Sequence, residues 1–419
     1  MQQVNQSISH SIKQKLANFN WNLLIPYLIL LGMGVFMVYS SSSYFAMTQF
    51  NNSEHFFQRQ LMYAMISLIV VLLFSVVNTK LLKSIGLISS VLFVLLFMLI
   101  YLVTFGVDPI NGASAWIDFG PINIQPSEFF KIAMILYLAI FLSNNQRKLA
   151  NIGRVYDGPA KENGKKRGII SQIFTVVKKP ILCLGLFIGL ILIQPDLGGV
   201  IILLSICVVM ILLSGVPFKI SLSTFGIAGV AYSVFLLFIQ LVGTIPFIPS
   251  YMLNRFTAYL DPFGDVQNSS FQLVNSFYAL ARGGLFGVGI GESIQKSGYL
   301  PESYTDFIIP IMGEEIGLVG VVFILAIFFY FVYVIFRTSL QVTDSFGQLV
   351  YIGIAAMFLI QGSINLGGAV GIMPLTGVTF PFISYGGSSM LVSSIAVGIM
   401  NNLFINQRLN QHILEKEAN

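Results

Sequence analysis

An acidic and a basic side chain, Glu128 and Lys131, lie three residues apart in an otherwise apolar stretch. Pro126 precedes them where the first turn of a helix tolerates proline, so the two side chains are predicted to share one helix face. A charge deep in a membrane span costs about 2.5–3.5 kcal/mol. The pair is therefore either an ion pair that joins helices or the charged wall of a polar cavity, where Lys131 could bind a phosphate.

A second set of chemically capable residues lies between residues 244 and 305, where charges alternate with glycines. The glycines follow neither a GxGxxG nor a Walker pattern after a strand, so they do not predict a nucleotide site. The plain alternative is a soluble rim with ordinary surface charges. The charged and polar side chains of this stretch are Arg255, Asp261, Asp265, Gln272, Arg282, Glu292, Lys296 and Glu302.

Shorter motifs place polar groups at the ends of apolar runs. Asp196 is predicted mainly to cap the helix that follows it. Asp306 and the adjacent acids Glu314 and Glu315 lie near the start of one apolar run, where an unpaired charge is costly, and Glu315 could pair internally. Residues 374–389 are too rich in Pro, Gly and Ser for a regular span, so they predict a folded outer loop or a re-entrant segment.

The elements that must position these residues are membrane helices. Of the 419 residues, 56% are hydrophobic and only 9% are charged, which is far too apolar for a soluble protein. Apolar runs near the roughly 20 residues that a bilayer requires follow one another along the chain. We predict an all-α integral membrane protein with about ten transmembrane helices, near 22–42, 61–77, 84–106, 127–143, 180–194, 198–214, 221–243, 306–336, 348–372 and 389–406.

The distribution of lysine and arginine predicts the orientation. An even number of spans puts both termini on one side, and that side would hold most of the cations, including those of a basic loop at 144–179. Such loops are cytoplasmic. We therefore expect cytoplasmic tails at 1–21 and 407–419, a single polytopic domain at 22–406, and one long outer loop between spans 7 and 8, residues 244–305, that does not look helical.

Other function classes find little support in the sequence. The pI near 9.0 could suggest nucleic acid, but the cations follow the predicted membrane topology, so no nucleic-acid partner is expected. Cys183 and Cys207 lie in apolar runs, where a thiol behaves as a small hydrophobe. Since the three histidines are scattered, the sequence predicts neither a disulfide framework nor a Cys/His metal site.

Several long motifs, taken in order, resemble the SEDS family, the FtsW and RodA membrane proteins of bacterial wall synthesis. One of them is Gln125-Pro126-Ser127-Glu128-Phe129-Phe130-Lys131. Together with the spans, the motifs cover nearly the whole chain. The others lie at residues 194–198, 255–272, 299–302, 305–307, 313–315 and 374–389.

The resemblance implies a peptidoglycan glycosyltransferase of the bacterial cell membrane that polymerises lipid II on the outer face. It also implies a complex with a class B penicillin-binding transpeptidase and other division proteins. The family's essential outer-loop aspartate falls on Asp265 rather than Asp261. Residues 291–296 look more like the division branch, FtsW, than the elongation branch, RodA. The residues expected to bind substrate are Glu128, Lys131, Arg255, Gln272, Arg282, Asp306, Glu314, Glu315 and Ser384.

The reaction implied by this resemblance joins a sugar hydroxyl to an anomeric carbon, with inversion, and releases a lipid diphosphate. Asp265 would take the hydroxyl proton, while Arg255, Arg282 and Lys131 would hold the diphosphate. No cofactor is evident from the sequence. A divalent cation, Mg²⁺ or Mn²⁺, bound by the diphosphate and Asp265, Glu128 or Glu314 is compatible with these oxygen ligands.

Two other functions compete with this one. A flippase or transporter for lipid II would use Glu128 and Lys131 as part of a path through the membrane. A catalytically silent scaffold of a division complex would have no use for Asp265. The acids crowd at the predicted outer side, which favours catalysis there over transport. An elongation role like that of RodA stays open.

Overall fold

The computed structural model describes residues 15, 17–106, 115–118, 120, 123–151, 161–162, 165–166, 169–242 and 250–418. Within these residues its architecture is all-α, as predicted, with two small hairpins beside the helices. In chain order the helices are α1 Trp21–Phe50, α2 His55–Val76, α3 Thr79–Leu82, α4 Ile85–Phe105, α5 Pro126–Ala150, α6 Ile169–Ile193, α7 Leu197–Leu213, α8 Phe218–Val242, α9 Ser250–Leu260, α10 Phe271–Gly283, α11 Ile308–Gln341, α12 Ser345–Ala369 and α13 Gly387–Ala418.

Apolar helices of membrane-spanning length dominate this list. Within the described residues, nine helices are long and apolar enough to cross a bilayer, and α7 is a shorter apolar helix of 17 residues. Each of the ten predicted spans coincides with one of these helices. The number that crosses the membrane and the side of the termini stay predictions.

Several helices run beyond their predicted ends. Helix α1 continues to Phe50, past residue 42, because Ser41 and Ser42 donate their hydroxyls back to Met37 O and Val38 O and keep their polar atoms satisfied within the helix. Helix α6 begins at Ile169 rather than 180, with Pro180 inside it. Helix α13 includes the predicted C-terminal tail up to Ala418.

The expectation of one long non-helical outer loop at 244–305 was wrong in part. Two helices, α9 and α10, occupy much of it, and a π-helical turn spans Gln295–Tyr299. Both α9 and α10 are too short to cross a bilayer and carry polar residues on one face, so a search for long apolar runs overlooks them. Residues 243–249 lie outside the described part of the chain.

Two hairpins complete the secondary structure of the described part of the chain. Strand β1 (Ile117–Asp118) pairs antiparallel with β2 (Asn123–Ile124) just before α5. Strand β3 (Lys161–Glu162) pairs with β4 (Lys165–Lys166) within the predicted basic loop. Ser388 ties the first hairpin to α13, because its hydroxyl donates to Asn123 O at 2.8 Å.

The segment between α12 and α13 folds back into the helix bundle. Phe382 is 2% exposed, and its ring packs 5.3 Å from Tyr27 and 5.4 Å from Phe331. A Cβ at Gly34 of α1 would lie 2.1 Å from Phe382 O, so only glycine permits this approach. The segment is therefore folded, as predicted, and the choice between an outer loop and a re-entrant segment stays a prediction.

Candidate active site

The pair predicted from the sequence, Glu128 and Lys131, forms in the first turns of α5. Lys131 Nζ lies 2.8 Å from Glu128 Oε1 and 2.9 Å from Gln361 Oε1 of α12. The Lys131 side chain is 3% exposed and that of Glu128 is 16% exposed. The pair therefore joins two helices, as one alternative held, and it also leaves part of the Glu128 carboxylate accessible.

Asp196 lies in the turn between α6 and α7 and has two roles. Its Oδ1 accepts from Gly199 N at 2.8 Å, which confirms the predicted helix cap. Its Oδ2 accepts from Gln125 Nε2 at 3.4 Å, beside the start of α5. Burial raises the pKa of Asp196, the hydrogen bond from Gly199 lowers it, and the nearby charge of Glu128 raises it again. Asp196 therefore lies within electrostatic reach of the α5 pair.

Asp306 and Arg255 meet at Gly377, in the folded segment before α13. A Cβ at Gly377 would lie 3.5 Å from Asp306 Oδ2 and 3.6 Å from each terminal nitrogen of Arg255. Burial, and secondly repulsion from Glu302, raise the pKa of Asp306 to about 7, although Arg255 acts in the opposite direction. Asn365 holds this corner together by donating to Asp306 O at 2.9 Å and Val378 O at 2.7 Å.

These residues form one polar region, which we call the central charged site. The electrostatic field of Arg255 and Lys131 reaches Asp196, and that of Arg255 reaches Asp306, so helices α5, α7, α9 and α12 contribute to a single site. Glu128 and Lys131 lie in the first turns of α5, Asp196 and Asp306 lie in turns, and Arg255 lies in the middle of the short helix α9. The central charged site consists of Glu128, Lys131, Asp196, Arg255, Asp306, Gln361 and Asn365.

Asp265 lies in the exposed turn between α9 and α10. Its oxygens accept from Ser269 N at 3.2 Å, Ser269 Oγ at 3.1 Å and Asn268 Nδ2 at 3.1 Å. These bonds, the Ser269 amide first and the Asn268 side chain second, lower the pKa of Asp265 below its usual range. Asp265 is therefore an exposed, ionised carboxylate at neutral pH, on the turn that ends the helix carrying Arg255.

Glu314 and Glu315 lie in a separate cluster, which we call the loop anchor. Glu314 accepts from Arg282 at 2.5 Å and from Ile294 N at 3.0 Å. Lys296 Nζ lies 2.6 Å from Glu315 Oε1, and Ser40 Oγ donates to the same carboxylate at 2.7 Å. Both carboxylates are fully buried, so these contacts attach the chain after α10 to the start of α11.

Two other predicted site residues have different surroundings. Ser384 Oγ donates to Thr305 O at 2.6 Å and accepts from Phe380 N at 2.8 Å, so it fastens the folded segment to the residues before α11. Gln272 lies in the first turn of α10 and is partly buried. A substrate contact by either residue stays a prediction.

The structure also bears on the suggested divalent cation. Among the described residues, no group of three or more His, Cys, Asp or Glu side chains could hold a metal ion. Any cation would thus have to be held by fewer protein carboxylates together with substrate oxygens, as the sequence suggested. That suggestion stays a prediction.

Comparison with known proteins places this arrangement in a family. The family model for the FtsW, RodA and SpoVE cell cycle proteins matches residues 21–409. The chain belongs to this family. Since the described residues include nine helices that are long and apolar enough to cross a bilayer, the protein is a multi-pass protein of the cell membrane, as predicted.

Individual relatives cover almost the whole chain. Stage V sporulation protein E of Bacillus subtilis is 38% identical, over 91% of this chain and 95% of its own. A protein of the same organism named as a probable peptidoglycan glycosyltransferase, FtsW, is 36% identical, over 97% of this chain and 95% of its own.

Solved structures of similar fold agree with this assignment. A chain from a peptidoglycan synthase complex that coordinates polymerization and crosslinking has a TM-score of 0.69 and 25% identity, covering 93% of this chain and 98% of that one. The rod shape determining protein RodA of Thermus thermophilus has a TM-score of 0.61 and 25% identity, covering 93% and 97%.

Proposed function

We propose that this family member is an inverting peptidoglycan glycosyltransferase that polymerises lipid II at the outer face of the cell membrane. The observation that carries the proposal is an exposed, ionised Asp265 on the turn that follows the helix of Arg255, and Arg255 belongs to the buried site that also holds Lys131. The names of the FtsW relatives support the reaction class.

In the proposed reaction, the acceptor sugar hydroxyl attacks the anomeric carbon of a lipid-linked donor. A new C–O bond forms on the face opposite the departing diphosphate, whose oxygen keeps the electron pair of the broken bond. Asp265 takes the hydroxyl proton. A positioned base of this kind contributes about 10²–10⁴-fold to the rate, so the cations must also stabilise the leaving diphosphate.

Arg255 and Lys131 are suited to hold that diphosphate. Of the three N–H groups of the Lys131 ammonium, the bonds to Glu128 and Gln361 use two, so one can donate to a phosphate oxygen. The Arg255 guanidinium, which lies beside Gly377, presents a fork of donors that matches phosphate geometry. Arg282 contributes less in this scheme because the buried Glu314 engages it.

The cellular role is proposed by analogy. The resemblance of residues 291–296 to the division branch favours a role in septal wall synthesis, with an elongation role like that of RodA as the alternative. A class B penicillin-binding transpeptidase is the proposed partner, because a similar chain belongs to a complex that couples polymerization to crosslinking. We also propose that both termini face the cytoplasm, which sets the α9–α10 turn outside.

A lipid II flippase is the main competing proposal, and the position of the charges argues against it. A transport path needs polar groups through the depth of the membrane. On α5, the residues that follow Lys131 are buried and apolar from Ile132 to Leu136. Along α5, the polar side chains of the central charged site are therefore confined to the first turns of the helix.

The test is to reconstitute the purified protein in vesicles, with and without a transpeptidase partner, and to supply fluorescent lipid II. Glycan polymer made by the wild type and lost in Asp265→Asn, with unchanged thermal unfolding, is the expected result. Transbilayer movement of lipid II without polymer would replace the proposal with the flippase. Full polymerisation by the variant would remove Asp265 from catalysis.

A further inference from the structure

A glycine-rich turn, residues 284–291, packs against a break in the longest helix. Four of its glycines, at 284, 287, 289 and 291, have φ angles between +54° and +113°, a region that L side chains rarely adopt. Gly317 of α11 also has a positive φ of 70°, and its helix is interrupted there. We call residues 284–291 the glycine loop.

Backbone hydrogen bonds join the glycine loop to the helix break. Val288 N donates to Glu314 O at 2.9 Å and Gly289 N to Glu315 O at 3.0 Å, while Leu318 N donates back to Gly284 O at 2.9 Å. Each segment therefore provides hydrogen-bond partners for backbone N–H and C=O groups of the other segment. Irregular backbone at a membrane requires such internal pairing, because lipid offers no hydrogen bonds.

The contact between the two segments is too close for side chains. A Cβ at Gly287 would lie 2.2 Å from Glu315 O, and a Cβ at Gly317 would lie 2.3 Å from Gly287 N. The loop anchor then fixes the chain just beyond the glycine loop, since Glu314 accepts from Ile294 N at 3.0 Å. The position of the loop relative to α11 is thus set by the fold.

The glycine loop presents large apolar side chains outward. Phe286 is 80% exposed, Leu285 is 59% exposed and Ile290 is 57% exposed. These side chains continue an exposed apolar surface of α11, formed by Leu318, Val319, Val322 and Phe323. An exposed apolar surface that runs without interruption onto a membrane helix indicates contact with the same apolar medium.

The length of α11 locates the glycine loop relative to the bilayer. Residues 318–336 contain no charge, and Arg337 follows them. At about 1.5 Å per residue, those 19 residues extend about 28 Å, close to the roughly 30 Å of a hydrocarbon core. Gly317 and the glycine loop beside it therefore lie where the hydrocarbon ends, at the end of α11 nearer its first residue.

We propose that the glycine loop is inserted into the bilayer at the boundary between hydrocarbon and headgroups, with Phe286 as its principal lipid contact. The molecules that the glycine loop contacts are the lipids of the leaflet nearest the start of α11. The buried acids of the loop anchor then hold a membrane-inserted segment in place, whether or not the chain transfers sugars. The insertion fixes α10, and with it the α9–α10 turn, at a set height above the bilayer.

Depth-dependent fluorescence quenching tests this insertion. The chain has two tryptophans, Trp21 and Trp116, which would be replaced by phenylalanine before Phe286→Trp is introduced. The protein alone would be reconstituted in vesicles that carry a spin label either near the headgroup or near the end of the acyl chain. We expect blue-shifted emission, stronger quenching by the shallow label than by the deep one, and little quenching by iodide.

Phe329→Trp in the same background is the matched control. Phe329 is 41% exposed and lies about 18 Å along α11 from Gly317, near the bilayer midplane, so the deep label should quench it more strongly. A second reporter, Ile290→Trp, repeats the measurement within the glycine loop. Strong iodide quenching of both loop reporters, or stronger quenching of them by the deep label, would overturn the proposed insertion.

Discussion

The central charged site and the loop anchor both place acids beside cations in an apolar protein, yet they differ in how their carboxylates are satisfied. Glu314 and Glu315 are fully buried and receive donors at both oxygens. Glu128 is bonded through one oxygen and keeps 16% of its side chain exposed. Buried carboxylates whose oxygens all accept hydrogen bonds within the protein stabilise a fold, whereas a site with accessible polar groups can bind a ligand.

The largest effect should come from breaking the loop anchor. Replacing Lys296 by methionine leaves the fully buried Glu315 without its cation, which typically costs roughly 3–5 kcal/mol. We expect a marked fall in the thermal unfolding temperature in detergent. The double variant Lys296→Met with Glu315→Met should recover much of that loss. Unchanged unfolding of Lys296→Met would show that the loop anchor does not stabilise the fold.

A variant in the central charged site should lower activity rather than stability. Arg255→Gln removes a charged donor, and such a bond contributes about 1.5–3 kcal/mol, or about 10–150-fold in rate. We expect lipid II polymerisation to fall by that factor while the unfolding temperature changes little. Lys83→Gln is a matched control, since Lys83 pairs with Asp344 at a distant, exposed position. Equal loss of activity in both would contradict the assignment.

A variant at Ser384 distinguishes a structural role of its buried hydroxyl from a role in substrate binding. Ser384→Ala leaves the Phe380 N–H without its acceptor, which costs about 1–3 kcal/mol. If the role is structural, thermal stability falls while activity per folded molecule is retained. A loss of activity at unchanged stability would instead support the substrate contact predicted from the sequence.

Asp306 should give the stability of the fold a pH dependence. Its pKa is raised from 3.8 to about 7 in the fold, so the folded state binds more protons than the unfolded state between these values. Stability therefore declines as the pH rises from about 4 to 7, and Asp306→Asn should remove this decline. Melting temperatures of the two proteins from pH 4.5 to 8 measure it. If the stability of Asp306→Asn relative to the wild type is no greater at pH 8 than at pH 4.5, the expected direction of the pH dependence is wrong.

Much of the fold follows from the sequence because hydrocarbon demands long apolar runs. The predicted spans match helices for that reason, and the Glu128–Lys131 pair follows from helical spacing alone. Helices α9 and α10 escaped detection since their 11 and 13 residues are amphipathic rather than continuously apolar. Which polar side chains of the loops come into contact is set by tertiary packing, and a pattern of apolar residues does not reveal it.

The composition of the site was harder to predict than its existence. Gln361 and Asn365 are uncharged side chains within an apolar helix, and only the fold brings them to Lys131 and Asp306. The pairing of Glu315 with Lys296 and Ser40 joins residues from distant parts of the chain. A signal was present at Gln361 and Asn365, because their spacing of four places two amides on one helix face.

The most direct measurement compares lipid II polymerisation by Asp265→Asn and Asp261→Asn in the same reconstituted membranes. Both aspartates lie on the α9–α10 turn, four residues apart, so the two variants change the local charge equally. The proposed role predicts a loss of about 10²–10⁴-fold for Asp265→Asn and near wild-type rates for Asp261→Asn. Equal rates for the two variants would contradict a catalytic base at Asp265.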